Sequence, residues 1–312
     1  MQKSEVSFLQ SDSWAKFQRA LGREVIQKSG AEFSYLAIVE HGRLSNRLYC
    51  PYGPTVESAN GLKAALDDLK NEAKKRRLDF VRVEPFGNLT EINLTKFGLK
   101  RARKNVNPEN TIISDVSVSE DEIRAALSQT ARRYARKCDK AGITYSVSYQ
   151  PTDIKYFTQM IHSVAARTGM NPYDDLYFQN LAGALFPTKS AGLLLADLDG
   201  KKIASIIFFT NGRTMSYAHA GNLTEYRKFS PATGLGLFAL LFAHQIGCKK
   251  FDWHGVAPDG SADNPKWKSW QGFTNFKLSF GGRRVDRLGT WELPVRPLRY
   301  RILRGLLRLA RR

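Results

Sequence analysis

The residues best suited to chemistry in this chain fall in one late stretch. Asp252-Trp253-His254-Gly255-Val256-Ala257 opens it, and Phe273, Phe276, Lys277 and Phe280 close it, with Trp267, Trp270, Lys266 and Lys268 between. Aromatic side chains interleaved with lysines suit stacking on bases or sugars while phosphates are held nearby. Core packing explains part of the aromatic set but explains Lys277 poorly, because a lysine is seldom placed among aromatics without a partner. A second constellation is basic throughout: Arg132, Arg133, Arg136, Lys137 and Lys140 recur at helical spacing, so several share one face. Such a run is either a solvated surface, its ordinary reading, or a phosphate-binding face.

Several other reaction centres lack their parts. The chain has no P-loop signature, no HExxH, no GxSxG elbow and no GxGxxG. His41, His162, His219, His244 and His254 form no pair at metal-ligand spacing, although His219 and His254 end strands where a site can lie. Ser230-Pro231-Ala232-Thr233-Gly234-Leu235-Gly236 opens an apolar helix. Its glycines either let helix-start amides approach an anion or let the helix pack closely on a sheet.

The charge balance agrees with an anionic partner: 48 Lys and Arg against 29 Asp and Glu leave +19, suited to nucleic acid, a phosphorylated substrate or an anionic membrane. Cys50, Cys138 and Cys248 lie far apart, with no zinc-type spacing, which fits a reduced, cytoplasmic protein. Residues 1–12 carry no apolar run of secretory length, and the uncharged stretch 229–248 contains a proline and three glycines, so it reads as a buried helix rather than a span.

These residues need elements to hold them, and strand and helix signals alternate along the whole chain. A strand is expected at 35–39, a helix at 61–77 and a strand at 79–84. Ser119 and Glu122 form a capping box that opens a single helix running to Lys140. A helix at 153–167 precedes strands at 192–197, 203–210 and 214–219, joined through Asp199-Gly200 and Asn211-Gly212, turn pairs that signal an antiparallel meander. The apolar helix at 234–247 and a strand at 250–253 follow. This order resembles the acyltransferase core of the GNAT type, and the first half repeats it loosely. The expected architecture is α/β (α+β): two tandem GNAT-like units, 1–148 completed by the tail 284–312, and 149–283.

Over nearly its whole length the chain resembles the FemABX family of peptidoglycan bridge-forming aminoacyltransferases. The resemblance is carried by Phe8-Leu9-Gln10-Ser11 with Trp14, by Tyr49-Cys50-Pro51-Tyr52-Gly53-Pro54, and by Glu84-Pro85, Phe97-Gly98, Pro108 with Thr111, and Asp115 before the capping box. The basic helix from Arg132 through Gly142-Ile143, Arg167-Thr168-Gly169, Tyr217 with Gly221, Tyr226-Arg227, 252–255 and Phe276-Lys277 continue it in order.

The resemblance implies transfer of an amino acid from aminoacyl-tRNA to an amine on the stem peptide of a nucleotide-linked or lipid-linked muropeptide, by a monomer without metal or other cofactor. It places Phe276-Lys277 at the reacting ester, with Lys277 stabilising negative charge there. Arg227 and Lys16 would bind precursor phosphate, with Trp14, Tyr217 and Tyr226 alongside. Tyr217 and Tyr226 serve equally well as strand-end packing. Asp115 is a candidate base or merely the acid closing a strand. Arg132, Arg133, Arg136, Lys137, Lys266 and Lys268 would face tRNA. No heptad stretch is inserted between the units, which implies the form without a long helical arm. Two alternatives share the fold or the charge: acyl-CoA-dependent N-acylation, weakened by Pro231 where a GNAT pyrophosphate loop has Gln or Arg, and RNA binding without catalysis. The tail 296–312, seven arginines interleaved with aliphatic residues, reads either as an amphipathic helix on the anionic inner leaflet or as a helix packed on the first unit.

Overall fold

A computed structural model describes residues 6–87, 89 and 92–309 of the chain. Two compact units divide it, one built from 1–109 and 287–312, the other from 110–286.

Unit 1 begins with α1 (Asp12–Ala20), capped by the Ser11 hydroxyl, which accepts from Trp14 N at 3.1 Å. Strands β1 (Val25–Ser29), β2 (Phe33–His41), β3 (Asn46–Cys50) and β4 (Thr55–Val56) follow, then α2 (Ala59–Lys75), β5 (Phe80–Val83) and β6 (Lys100–Arg101). Several residues of the resemblance are structural here. Gln10 grips the 51–54 turn and β2 together, donating to Pro51 O (2.6 Å) and Leu36 O (3.1 Å) and accepting from Leu36 N (2.7 Å). A side chain at Gly53 would strike that amide at 2.6 Å, which is why glycine stands there. Glu84 is buried and accepts from Tyr49 Oη (3.0 Å), Tyr52 N (3.1 Å), Asn107 N (2.9 Å), Asn107 Nδ2 (2.6 Å) and Thr290 Oγ1 (2.6 Å). A buried carboxylate survives only with such complete satisfaction.

Unit 2 runs β7 (Asn110–Asp115), α3 (Glu120–Ala126), α4 (Gln129–Lys140), β8 (Thr144–Ser148), α5 (Ile154–Thr168), α6 (Asp175–Leu185), β9 (Ala191–Leu198), β10 (Lys201–Asn211), β11 (Thr214–Asn222), α7 (Pro231–Gln245), β12 (Lys250–Asp252), α8 (Gln271–Leu278) and β13 (Arg283–Asp286). Its sheet has the order β13-β7-β12-β11-β10-β9-β8 among the described residues. The meander β9-β10-β11 is antiparallel, and β12 joins β11 in parallel. Beneath the apolar helix α7, a core gathers Leu194, Phe208, Phe251, Trp253 and Phe280.

The chain then returns to unit 1. β14 (Trp291–Pro294) inserts between β5 and β6, and α9 (Pro297–Leu309) lays Tyr300 and Leu303 on Phe80. The first sheet is thus ordered β1-β2-β3-β5-β14-β6 with β4 beside β2. Residues 310–312 of the expected tail helix lie outside the described residues.

Two expectations need correction. The helix expected from the capping box to Lys140 is two helices: Leu127 turns extended (ψ 144°), and Ser128 caps the second by accepting from Ala131 N at 3.1 Å. The boundary expected at 148/149 falls at 109/110, because β7 pairs with β12 and β13, and α3 and α4 pack on α7. Those contacts are remote in sequence, and local signals do not carry them.

Candidate active site

The site in unit 2 is opened by strand geometry. β11 and β12 pair only over Thr214–Ser216 and Lys250–Asp252, while β11 runs on to Asn222 paired with β10 and no longer with β12. Tyr217, the first residue past the last pair, also flanks a bulge in which Ala218 is the extra residue opposite Ile207/Phe208. Bulges re-aim side chains in this way next to functional sites. At this point α8 delivers Lys277. Its ammonium is buried, donates to Gly255 O at 2.8 Å, and lies 5.3 Å from the Tyr217 ring centroid and 5.4 Å from that of Phe273.

Burial pushes the Lys277 pKa down to about 8, with the Asp252 carboxylate pulling in the opposite direction. Asp252 itself is buried and accepts from Thr111 Oγ1 and from His254 N (2.8 Å). Ala257 N donates to Thr274 Oγ1 at 2.9 Å, tying the 253–257 segment to α8. His254 takes a left-handed backbone conformation (φ 58°), which turns the chain so that Gly255 O meets the lysine. The result is a cation near its neutralisation point, fixed on a carbonyl and walled by aromatic rings. Such a group can stabilise a developing oxyanion or leaving group in a site of low polarity.

The aromatic set divides. Trp253 and Phe280 stack at 4.4 Å in the core, fully buried, so they are unavailable to a ligand, contrary to the stacking surface expected of them. Phe276 is half-buried against both, and Trp267, Trp270 and Phe273 form an edge-packed row with Lys266 over Trp267. Lys268 is exposed on the same short helical turn.

Other expected residues lie elsewhere in the fold. Arg227 is exposed on a helical turn after β11, and Tyr226 beside it is half-buried with Lys201 over its ring. Arg167, at the end of α5, has its pKa lowered first by desolvation and then by the nearby Arg227, so two guanidinium groups share this edge. Asp115 pairs across the ladder with Lys250, five residues before Gly255, and accepts from Ser117 N (2.8 Å) and Oγ (2.6 Å), which lowers its pKa. It closes a strand locally. His219 sits among Phe157, Phe178 and Tyr173, and burial lowers its pKa to about 4. On the basic helix, Arg132 donates to Ala125 O (2.9 Å) and Leu127 O (2.6 Å), and Lys137 to Lys228 O (2.6 Å), while Arg133 and Arg136 are exposed. In unit 1, Trp14 is buried between Phe8 and Phe17, and Lys16 is exposed on α1.

Residues 199–308 match the model of the FemAB family. The match covers β10 to α9 and includes Tyr217, Arg227 and Lys277. About a third of the chain, 199–308, is thus similar to the FemAB family. A lipid II:glycine glycyltransferase of Staphylococcus aureus is 26% identical over 168 residues, covering 49% of this chain and 40% of the relative. The match therefore spans about two-fifths of that relative's length. The structure of a FemX superposes with a TM-score of 0.84 at 17% identity, over 95% of this chain and 94% of that one. A tandem GNAT protein from the clavulanic acid biosynthesis pathway gives 0.53 at 12% identity, over 88% and 83%. At these identities the two structures speak to the fold alone, and they agree on tandem GNAT-like units.

The glycines that open α7 have packing partners. A methyl group at Gly234 would overlap the Tyr145 hydroxyl and approach Cys138 Sγ at 3.0 Å, and one at Gly236 would strike the Phe280 ring at 2.5 Å. Both glycines are buried. Close approach of α7 to α4, β8 and the aromatic core demands them. The sequence singles out Arg167, Asp252 and Thr111 only within longer segments and assigns none of them a role. Asp252 and Thr111 stand in the segments that carry the family resemblance, but their pairing runs between strands about 140 positions apart and has no local signature.

Proposed function

We propose that this protein transfers an amino acid from aminoacyl-tRNA to an amine on the stem peptide of a peptidoglycan precursor. The observation that carries the reading is Lys277, a buried lysine at the splay of two parallel strands, held on Gly255 O beside Tyr217 and Phe273. Attack of a neutral amine on an activated ester needs orientation and charge stabilisation rather than a strong nucleophile. Lys277 would receive the charge developing on the ester carbonyl and the departing ribose oxygen. The amine loses a proton as the amide forms, and the ribose oxygen gains one on leaving. Arg227 and Arg167 would hold the precursor phosphates, with Tyr217 and Tyr226 beside the stem peptide. The name of the S. aureus relative, a lipid II:glycine glycyltransferase, supports a lipid-linked acceptor. Contact of the tail with an anionic leaflet belongs to the same reading.

The packing of Gly234 and Gly236 weighs against acyl-CoA, since it explains these glycines without a pyrophosphate. The test is transfer of labelled amino acids from a charged tRNA pool to nucleotide-linked and lipid-linked muropeptides, with Lys277→Ala in parallel. Label in a muropeptide that disappears in the variant supports the reading. Acylation by acyl-CoA without tRNA refutes it.

A further inference from the structure

Two exposed surfaces of unit 1 meet along α9. Leu298, Ile302 and Leu306, one turn apart on one face, are 72%, 63% and 48% exposed, whereas Tyr300 and Leu303 are turned onto Phe80. Leu44, in the β2–β3 turn and 62% exposed, lines one hollow with Ile302 and Leu306, so the hairpin widens the apolar strip. On the other side of the helix, Lys100, Arg101, Arg301 and Arg304 surround a shallow cleft lined by Tyr300. Arg101 is paired with Glu109 at 2.6 Å, and Arg304 leans on Tyr300 Oη at 3.0 Å. Lys100, Arg301 and Arg304 form no ion pair among the described residues. An exposed aliphatic strip bordered by uncompensated cations is what an anionic lipid surface complements.

We propose that this face of unit 1 is a membrane dock. Leu44, Leu298, Ile302 and Leu306 enter the headgroup boundary, and the Lys100-Arg101-Arg301-Arg304 cleft holds the phosphate of an anionic phospholipid. The inference deepens the lipid-linked-acceptor reading and rests on it for its purpose, though not for its test. RNA, the other polyanion at hand, would account for the cations but leave four aliphatic side chains in water. A lipid surface accounts for both.

The experiment is co-sedimentation of the full chain with vesicles of phosphatidylcholine alone or mixed with phosphatidylglycerol. Binding to the mixed vesicles is expected. It should fall roughly tenfold or more in Leu298→Ser/Ile302→Ser and roughly fivefold in each of Lys100→Gln and Arg301→Gln. All four side chains are exposed, so unfolding temperatures should not move. Unchanged vesicle binding by the serine variant, or equal binding of the wild type to both vesicle types, overturns the dock. Loss of tRNA binding rather than vesicle binding in the glutamine variants assigns the cleft to RNA and also overturns it. These outcomes are independent of transfer: a protein that docks but moves no amino acid to any acceptor refutes the proposed function and leaves the dock standing.

Discussion

Lys277 sits where burial disfavours its charge. Its pKa falls from 10.5 to about 8 on folding, so below pH 8 the charged lysine costs the folded state about 3 kcal/mol relative to a neutral one. The folded protein gives up this proton before the unfolded chain does. Stability therefore rises between about pH 8 and 10.5 and is flat below 8 as far as this group is concerned. Lys277→Met removes the burden but leaves Gly255 O without its donor, for a net gain of about 1–2 kcal/mol at pH 7. Urea unfolding should show that gain while transfer is lost. A loss of similar size would mean that the ammonium holds the fold together. If the protonated form stabilises the leaving group, transfer should decline as pH rises through about 8. Asp252→Asn removes the influence that raises the pKa, so the declining limb should move to lower pH in a kcat profile. A limb that stays in place would exclude Asp252 as a positioning residue. Lys277 itself was legible in sequence because lysine is out of place among aromatics. Asp252 was not, since its influence on Lys277 and its bond to Thr111 exist only once β12 has paired with β7.

Elements were legible wherever the signal was local. The turns at Asp199-Gly200 and Asn211-Gly212 and the capping box at Ser119 stand where the sequence puts them, and both capping-box hydrogen bonds form. The break at Leu127-Ser128 was hidden by continuous helical spacing on either side. Ser128 marks it as a cap, and Arg132 reaches back to the carbonyls that the break exposes. α6 carried a weak pattern because Leu176 faces solvent and interrupts the apolar period. The glycines of α7 were read both as an anion cradle and as packing positions, and the methyl overlap with Tyr145 favours packing. Gly234→Ala should cost about 2–3 kcal/mol through displacement of α7. Adding Tyr145→Phe removes the hydroxyl that the new methyl meets and should restore more than half of the loss. Simple additivity of the two in thermal unfolding would place the strain elsewhere. The exposed part of the basic helix allows a separate test. Arg133→Gln/Arg136→Gln should lower the slope of log affinity for tRNA against log salt by about 1–2 while leaving stability unchanged, whereas an unaltered slope would mark this face as merely solvated.

At the scale of the molecule, the chain crosses between its units twice, at 109/110 and 286/287, and its last residues complete the sheet of the first unit. β14 supplies the neighbour of both β5 and β6, Glu292 pairs with Arg82 at 2.6 Å, and Thr290 donates to the buried Glu84. Ending the chain at 286 would therefore strip β5 of one neighbour and β6 of its strand partner, and leave Arg82 without its carboxylate and Phe80 without its cover. Native-state hydrogen exchange of that truncation should show β5 and β6 exchanging near the rate of the unfolded chain, with β9 and β10 still protected. Retained protection of β5 would show that the first sheet closes without its C-terminal strand. The same connectivity makes truncation at 297 a poor probe of membrane contact, because it bares Phe80 along with removing the apolar strip. Substitutions confined to Leu298 and Ile302 leave Tyr300 and Leu303 in place, so a change in vesicle binding there reports the surface and not the loss of the core.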